Sequence, residues 1–371
     1  MKKIRILVVG LSKSMGGIES LFINIVKFSS KNIKFDFLIF DSSCEFEKDL
    51  IEENCNIYYC TRRGTNPVKS ALEQKKLFME IGKRYDFVWN NISSASDILI
   101  YSLAKKYTDA KIISHSHGVN FESNNNLKRI IHLILHKFNT KSLIANTDYY
   151  FACSKLAGKW LFPTCSEDQI VEIKNGICVD NFKFDVSTRS LVRKNLGISD
   201  KFVLGNIGRL SKVKNQVFLI ELMEQLVKEN KDVMLLLIGS GEDYRLLNSM
   251  VIKKNLEQYV RFLGLRNDVN EILQAVDVFL LPSLFEGFPL SLVEAQATGL
   301  NCIISDTITL DVDLTNLVEF KKVESNLNEW KHCITTLKMD QYRSKYANKV
   351  KYCGYDIKDT VTFIERYLTE K

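Results

Sequence analysis

The strongest constraint on the fold is an alternation of short apolar strands with amphipathic helices that runs along the chain and then begins again. The opening run IRILVVG is typical of a buried parallel strand, and a Gly-Gly turn with apolar residues at helical spacing follows it. Further strands are predicted at 34–40, 85–91, 110–117 and 148–154, with helices at 96–107 and 127–138. This order predicts a parallel α/β sheet with helices on both faces.

The same pattern restarts at KFVLGNIGRL, residues 201–210, which is predicted as a second first strand. A helix at 214–229 and strands at 233–239, 259–264, 276–283 and 301–306 are predicted after it, and a terminal helix at 357–367. We therefore predict two doubly wound, Rossmann-like domains, residues 1–180 and 181–354, joined near a polar and irregular linker at 178–200. A cleft between the carboxyl ends of two such sheets is where α/β folds place ligands.

Composition describes an ordinary globular protein, because 371 residues with 46% hydrophobic and 26% charged side chains suit two packed domains. Nothing resembles a signal peptide, and no apolar stretch approaches the ~20 residues that a membrane span needs. The nine cysteines include no C-x-x-C pair and, with five histidines, show no zinc-ligand spacing. We expect reduced thiols, no metal and a cytoplasmic location.

Positive charge is concentrated in the first half of the chain. Residues 1–180 hold 25 Lys and Arg against 19 Asp and Glu, whereas the remaining residues hold 26 against 25. This excess is interpreted either as attraction to an anionic membrane or acceptor, or as a general Lys-rich bias with solvated lysines. The helix at 127–138, with Lys128, Arg129 and Lys137 beside an apolar face, is the candidate for contact with the inner membrane surface, the alternative being ordinary packing in its domain. Dispersed basic residues without a recognition motif argue against nucleic acid.

Two acids dominate the segment PSLFEGFPLSLVEAQATG at 282–299. Pro289 suits a first helical turn, so Glu286 is predicted in the preceding loop and Glu294 one turn into the helix. Backbone N–H groups near 287–290 would then point out of the helix start, which favours an anion. Acids bind hydroxyls and amides bind phosphate, so a polyhydroxylated ligand ending in phosphates fits the segment.

Two cations flank a second predicted helix start, in NIGRLSKVKNQ at 206–216. The strand ends at Gly208, a tight turn follows, and Arg209 and Lys214 lie on either side of it. Such a pair forms a clamp for a diphosphate. The alternative interpretation is a solvated basic turn.

Together these segments resemble the E-x7-E motif and the G-R-L-x-x-x-K stretch of the retaining glycosyltransferases of family 4, which have the GT-B fold. Asn215 stands where the family often has Gly, and NGICVDNF at 175–182 resembles its interdomain marker, with Cys178 in place of Asp. The resemblance implies a GT-B enzyme of two tandem Rossmann-like domains facing across a cleft. Residues 1–180 would bind the acceptor and 181–354 the donor, with a C-terminal helix, about 355–371, packing back on the first domain.

The resemblance also implies roles for individual residues. Arg209 and Lys214 would hold the donor diphosphate, Glu286 would bind sugar hydroxyls or offset charge at the anomeric carbon, and Glu294 would bind the ribose. The implied catalytic residues are Arg209, Lys214, Glu286 and His117. The implied donor-binding residues are Gly16, Gly17, Arg209, Lys214, Gly264, Leu265, Gly287, Phe288, Pro289, Leu290 and Glu294. Gly239 and Gly241 are expected to shape a turn.

In the first domain, MGGIES resembles the family's glycine-rich loop, and Gly16 and Gly17 would abut the diphosphate and the acceptor, unless the turn only needs small residues. SHSHG ends a predicted strand, and we favour His117 over His115 as a ligand of a sugar hydroxyl. His132 and His136 are four residues apart, and we interpret both as helix surface.

The expected reaction moves a sugar from a nucleotide-diphosphate sugar to a saccharide or an undecaprenyl-type lipid-linked saccharide. UDP is favoured from family frequency, and retention of configuration is implied by the resemblance. Thr307-Ile308-Thr309 resembles a subgroup associated with capsule and exopolysaccharide synthesis. The cation clamp supplies the charge of a metal, so Asp311-Val312-Asp313 is not expected to bind one, and no cofactor is expected. A non-catalytic nucleotide-sugar-binding partner and a GT-B nucleotide-sugar epimerase remain alternatives.

Overall fold

A computed structural model of the protein describes residues 3–118, 126–323, 327–338, 340 and 342–370. The chain forms two compact units, one of Met1–Gly176 with Ile357–Lys371 (unit 1) and one of Ile177–Asp356 (unit 2). The sequence placed these boundaries at 180/181 and 354/355. They lie at 176/177 and 356/357 because Ile177 pairs with Asp356 in a parallel bridge and its N–H donates to the Tyr355 carbonyl at 2.9 Å.

Unit 1 is built on a sheet of seven parallel strands in the order β3-β2-β1-β4-β5-β6-β7. The strands are β1 (Ile4–Val9), β2 (Ile33–Ile39), β3 (Ile57–Tyr59), β4 (Phe87–Ile92), β5 (Lys111–Ser116), β6 (Tyr149–Ala152) and β7 (Ile170–Glu172). In register, Val8 lies opposite Phe37 on one side and Trp89 on the other. The strand order reverses between β1 and β4, which makes their carboxyl ends the switch point of this sheet.

Helices cover both faces of the sheet in unit 1. They are α1 (Gly17–Phe28), α2 (Glu47–Glu52), α3 (Pro67–Ile81), α4 (Leu99–Tyr107), α5 (Asn126–Ala145), α6 (Lys155–Leu161) and the last helix of the chain, α15 (Ile357–Thr369). Phe78, Tyr101, Leu143 and Leu161 place α3, α4, α5 and α6 in one buried cluster with the strands. On the other face, α1 contacts α15, and Tyr367 packs against the ring of Phe151.

Unit 2 repeats this architecture with six parallel strands in the order β10-β9-β8-β11-β12-β13. The strands are β8 (Phe202–Ile207), β9 (Val233–Ile238), β10 (Val260–Gly264), β11 (Val278–Leu281), β12 (Asn301–Ser305) and β13 (Val318–Lys321). Counted within the unit, this is the order 3-2-1-4-5-6 of a doubly wound sheet, with its switch point between β8 and β11. The two doubly wound units confirm the predicted α/β fold class.

The helices of unit 2 are α7 (Val179–Phe182), α8 (Val186–Asn195), α9 (Gln216–Glu229), α10 (Tyr244–Lys253), α11 (Val269–Ala275), α12 (Leu290–Ala297), α13 (Leu327–Thr336) and α14 (Lys345–Tyr352). Leu222 of α9, Leu247 of α10 and Trp330 of α13 share a cluster on one face of the sheet. On the opposite face Leu292 of α12 and Val350 of α14 share another. Both faces are therefore buried, which explains the unbroken apolar runs of β9 and β11.

The prediction of an irregular linker at 178–200 was wrong, because this stretch contains α7 and α8. The Asp185 carboxylate caps α8 by accepting from the Thr188 N–H at 2.7 Å. Arg193 on the same helix is buried, and it pairs with Asp277 at 3.1 Å between its Nη1 and the carboxylate Oδ2. These contacts tie the segment into unit 2.

Candidate functional site

Two loops meet at the switch point of unit 2. The first, 208–215, joins β8 to α9, and the second, 282–289, joins β11 to α12. The Leu284 backbone N–H donates to the Val213 carbonyl at 2.8 Å, and the Asn215 side-chain amide donates to the Pro282 carbonyl at 3.3 Å. The two motifs singled out from the sequence are thus neighbours at the carboxyl edge of one sheet, the position where such sheets bind ligands.

Lys214 and Glu286 form an ion pair across these loops, with 2.5 Å between the lysine Nζ and the Glu286 Oε1. Their side chains are only 21% and 11% exposed. A Cβ on Gly208 would lie 3.2 Å from the Lys214 Cε, so glycine leaves room for the lysine stem to lie along the loop. The sequence assigned these two residues to different parts of a donor molecule, whereas in the structure each balances the charge of the other.

Arg209 lies on the same loop with its side chain exposed, and no ion pair is recorded for it in the described part of the chain. Its carbonyl accepts from the Gln216 amide at 3.0 Å, which holds the backbone of the loop. Asn215, which departs from the family's glycine, adopts φ 55° in the left-handed region, where Asn and Gly are the favoured residues. Asparagine therefore suits this position in the way that glycine would.

Helix α12 begins at Leu290, and Pro289 is its N-cap. The sequence predicted Pro289 inside the first helical turn, whereas it directly precedes that turn. Proline has no N–H, and the amide donors at this helix start are those of Leu290 and Ser291 together with Gly287 and Phe288 before it. The Phe288 ring stacks on Tyr355 with 4.9 Å between centroids. Phe288 and Pro289 therefore shape the turn with their side chains, and their contribution to anion binding would come from backbone groups.

Glu294 lies in the second turn of α12, beyond the loop that holds Glu286. Its side chain is half-buried, and within the described residues no side-chain hydrogen bond or ion pair is recorded for it. Burial raises the pKa of Glu294 from 4.5 to about 8. A carboxyl group held in this way prefers its protonated form until a ligand supplies hydrogen-bond donors.

The glycines after β9 serve close packing of two backbones. A Cβ on Gly239 would lie 2.1 Å from the Gly208 carbonyl oxygen, and one on Gly241 would lie 2.2 Å from that of Leu210. Gly264 ends β10, and its carbonyl accepts from the Gly239 N–H at 2.8 Å. Because β10 lies two strands from β8, Gly264 is roughly 10 Å along the sheet edge from the first loop. Leu265 beside it is exposed.

In unit 1, His117 follows β5 and bonds to a side chain of β4. Its Nε2 lies 2.8 Å from the Asn91 Oδ1, while the Asn91 amide nitrogen donates to the Val9 carbonyl at 3.1 Å. The amide is thereby oriented with its oxygen toward the histidine, so Nε2 carries the proton and Nδ1 is an acceptor. Burial lowers the pKa of His117 to about 3, which keeps the ring neutral.

His115 is a core residue. It is fully buried, it lies against Trp89 and Phe151, and the Trp89 Nε1 donates to its Nδ1 at 3.4 Å. Burial holds its pKa well below the ordinary value. Of the two histidines in SHSHG, His117 is the one at the end of the strand and near the switch point of unit 1.

Gly16 and Gly17 form the start of α1 at the carboxyl end of β1. The buried Glu19 folds back to this turn, where its carboxylate accepts from the Ser12 N–H at 2.7 Å. A Cβ on Gly16 would lie 2.8 Å from the same carboxylate. A side chain at position 16 would therefore require the Glu19 carboxylate to shift.

Two features outside these loops bear on predictions from the sequence. The interpretation of His136 as helix surface was wrong, because the residue is buried, its Nδ1 accepts from the Ala95 N–H at 3.0 Å, and its ring stacks on Trp160. Asp313 caps a turn by accepting from the Asn316 N–H at 2.8 Å. In the part of the chain that the structure describes, no cluster of three or more His, Cys, Asp and Glu side chains is placed to hold a metal ion.

Asn91 and Glu19 were not predicted from the sequence to contribute to the site. Each touches a singled-out residue, since Asn91 orients His117 and Glu19 occupies the space beside Gly16. Two features of the sequence could have indicated them. Asn91 belongs to a pair of amides, Asn90-Asn91, near the end of an otherwise apolar strand, and Glu19 is an acid in the first turn of an amphipathic helix.

Comparisons with known proteins agree with this architecture. Residues 188–333 match the family model described as "Glycosyl transferases group 1". The chain is 28% identical over 83% of its length to the "Putative glycosyltransferase EpsF" of Bacillus subtilis, covering 81% of that relative. It is 29% identical over 70% of its length to "UDP-Gal:alpha-D-GlcNAc-diphosphoundecaprenol alpha-1,3-galactosyltransferase" of Escherichia coli, covering 69% of it.

Among solved structures, Anabaena Alr3699/HepE in complex with UDP and glucose superposes with a TM-score of 0.79 at 19% identity, covering 99% of this chain and all of that one. This likeness supports the GT-B fold. The chain therefore has the GT-B fold, its residues 188–333 match the glycosyl transferases group 1 model, and it is similar to proteins named glycosyltransferases.

Proposed function

We propose that the protein is a retaining glycosyltransferase of family 4 type that moves a hexose or N-acetylhexosamine from a UDP-linked donor to a saccharide or lipid-linked saccharide. The observation that carries the proposal is the Lys214–Glu286 pair at the switch point of unit 2, beside the exposed Arg209 and the start of α12. Cations, backbone amides and acids lie together here, which suits a ligand with both phosphates and hydroxyls.

Donor binding would rearrange this pair. A diphosphate entering beside Arg209 and the amides of Leu290 and Ser291 would take Lys214 as its partner, because two negative phosphates outweigh one carboxylate. Glu286 would then be free to accept from hydroxyls of the donor sugar. The same cations and amides would stabilise the charge that develops on the leaving diphosphate, and loss of one such group costs roughly 100- to 1000-fold in rate.

Glu294 and the end of β10 complete the proposed donor site. The ribose diol would supply donors to the Glu294 carboxylate, and backbone groups at Gly264 and Leu265 would meet the base. The distance of roughly 10 Å between the loop after β8 and the end of β10 suits the length of a nucleotide. HepE was crystallised with UDP, which favours a uridine donor.

Unit 1 would bind the acceptor, with Gly16 and Gly17 near the transferred group. The His117 Nδ1, left as an acceptor by Asn91, would orient a sugar hydroxyl by accepting its proton in a hydrogen bond. The Escherichia coli relative is named for a diphosphoundecaprenol-linked acceptor, which favours a lipid-linked saccharide here. The Thr307-Ile308-Thr309 stretch favours capsule or exopolysaccharide synthesis as the process.

A nucleotide-release screen tests the proposal. UDP- and GDP-sugars are incubated with the full chain and a polyprenyl-diphosphate-linked saccharide, and release of nucleotide is followed together with the mass of the acceptor. We expect UDP release with a matching gain in acceptor mass, and NMR of the product would show the retained anomer. Nucleotide binding without turnover would point to the non-catalytic partner instead, and a rearranged donor without transfer would point to an epimerase.

We also propose that transfer needs no metal, because Arg209, Lys214 and the helix start carry the charge that a metal would supply. Treatment with EDTA should leave the rate within about twofold. A rate that collapses with EDTA and returns with Mn²⁺ would contradict this proposal and would return attention to Asp311 and Asp313.

A further inference from the structure

The outer face of α5 is apolar and exposed. Six large apolar side chains on this helix are between 41% and 78% exposed, namely Leu127, Ile130, Ile131, Ile134, Leu135 and Phe138. They recur at the three- and four-residue spacing of one helical face and span 12 residues, or about 16 Å of helix. A contiguous apolar face of this kind marks an interaction site.

The opposite face of α5 already has its packing partners. His136, Thr140 and Leu143 are buried, and His136 attaches the helix to unit 1 by accepting from the Ala95 N–H and stacking on Trp160. The apolar residues of the outer face are therefore not needed for the core. Packing inside the first domain, one of the two interpretations of this helix from the sequence, does not account for them.

Positive charge borders this face. Lys128, Lys137 and Lys141 lie at its margins and are exposed, Arg129 is exposed at the same end as Lys128, and α5 contains no Asp or Glu. An apolar face with a basic border is the pattern of a helix that lies in the interface of an anionic membrane. Within the described residues no helix has the length and the apolar composition to cross a bilayer, so the contact in question is with its surface.

We propose that the outer face of α5 docks on an anionic lipid surface, with Ile134 and Phe138 entering the acyl boundary and the lysines contacting headgroups. Charge complementarity decides for a membrane over a second copy of the chain. Two copies meeting through this face would bring lysines against lysines with no acid on either helix to pair them. The inference stands on α5 alone and does not depend on the donor or acceptor proposed above.

Vesicle co-sedimentation of the full chain tests this proposal. Vesicles of phosphatidylglycerol with phosphatidylcholine are compared with vesicles of phosphatidylcholine alone, at low and at physiological salt. We expect binding to the anionic vesicles, weakened by salt. The double variant Ile134→Ser/Phe138→Ser should reduce binding more than tenfold, since it removes buried apolar area.

Two further variants make the result specific. Lys137→Gln/Lys141→Gln should weaken binding to anionic vesicles about tenfold at low salt. Val186→Ser/Leu191→Ser is the matched control, because these α8 side chains in unit 2 are 65% and 58% exposed, and it should bind as the wild type does. Thermal melts by circular dichroism show that each variant is folded.

Other outcomes overturn the proposal. The proposal is wrong if the wild-type protein does not bind anionic vesicles. It is also wrong if the Ile134→Ser/Phe138→Ser variant binds them as tightly as the wild type does. Sedimentation velocity covers the remaining case: a wild-type dimer that Ile134→Ser/Phe138→Ser converts to a monomer, without vesicle binding, would assign the face to self-association.

Discussion

Glu294→Gln tests the electrostatic account of the donor site most directly. Burial raises the pKa of this carboxyl group from 4.5 to about 8, so the folded protein retains the proton where the unfolded chain has lost it. The stability that this adds is complete below about pH 4.5 and is lost as the pH rises to about 8. The change in pKa corresponds to an upper limit of about 5 kcal/mol, and the partial exposure of the side chain reduces our expectation to about 2 kcal/mol.

Urea unfolding of wild type and Glu294→Gln between pH 5.5 and 9 measures this effect. Glutamine cannot ionise, so the variant should gain about 2 kcal/mol relative to wild type over this interval. Glu329→Gln, an exposed acid in the same unit, controls for the amide and should show no such trend. A difference between wild type and Glu294→Gln that stays constant with pH would refute the reasoning.

The same residue predicts a pH-dependent affinity. A ribose diol donates to the ionised carboxylate and lowers its pKa on binding, so wild-type UDP affinity should rise between pH 7 and 8.5 by up to tenfold. Titration calorimetry in two buffers of different ionisation enthalpy would detect the released proton. Glu294→Gln should bind more weakly and release none, and equal proton release from both proteins would contradict the assigned ribose contact.

Three further predictions concern polar and charged pairs within each unit. Lys214→Ala should lower kcat/KM for nucleotide release about 100- to 1000-fold. It should also lower the free energy of unfolding by ~1–3 kcal/mol, because it leaves the Glu286 carboxylate without its partner. The double variant Lys214→Ala/Glu286→Gln should largely recover this stability, since no uncompensated carboxylate remains. Asn91→Asp places a carboxylate on the His117 Nε2 and should raise the pKa of that ring by at least one unit above about 3, measured by NMR titration; an unchanged value would remove Asn91 from its positioning role. Asp277→Asn should destabilise unit 2 by ~3–5 kcal/mol in urea, because the buried carboxylate pairs with two arginines and accepts from a backbone N–H, and a change below ~1 kcal/mol would show that the network is dispensable.

The strands missed from the sequence all lie at sheet edges, although one edge strand, β10, was predicted correctly. Strands such as β4 and β9 are buried on both faces, and their apolar runs identify them. The missed strands β3, β7 and β13 lie at edges of the two sheets, and each has three or four residues of mixed exposure. An edge strand needs little apolar sequence because only part of it is covered. Helix α8 was missed for a related reason, since Val192 is its one buried apolar residue and Arg189 and Arg193 make contacts beside it.

The motifs of the site were visible in the sequence, but their contacts were not. Strand order puts the loops after β8 and β11 side by side, and this follows from the alternating pattern once the fold is assigned. The pairing of Lys214 with Glu286 depends on the path of two loops 72 residues apart, which no local pattern encodes. The role of Asn91 likewise depends on a neighbouring strand.

The return of the chain to unit 1 affects the order in which a ribosome can complete the two units. Unit 2 is continuous from Ile177 to Asp356, whereas unit 1 lacks α15 until the chain has been made through Thr369. Until then, the sheet face that carries Trp89 and Phe151 lacks the helix that contributes Tyr367, and the Ser30 N–H lacks the Glu365 carboxylate, 2.6 Å away in the finished fold. The nascent first half therefore emerges with an apolar surface open, and the later half is complete before it. Truncations meant to isolate unit 1 need α15 rejoined to residue 176.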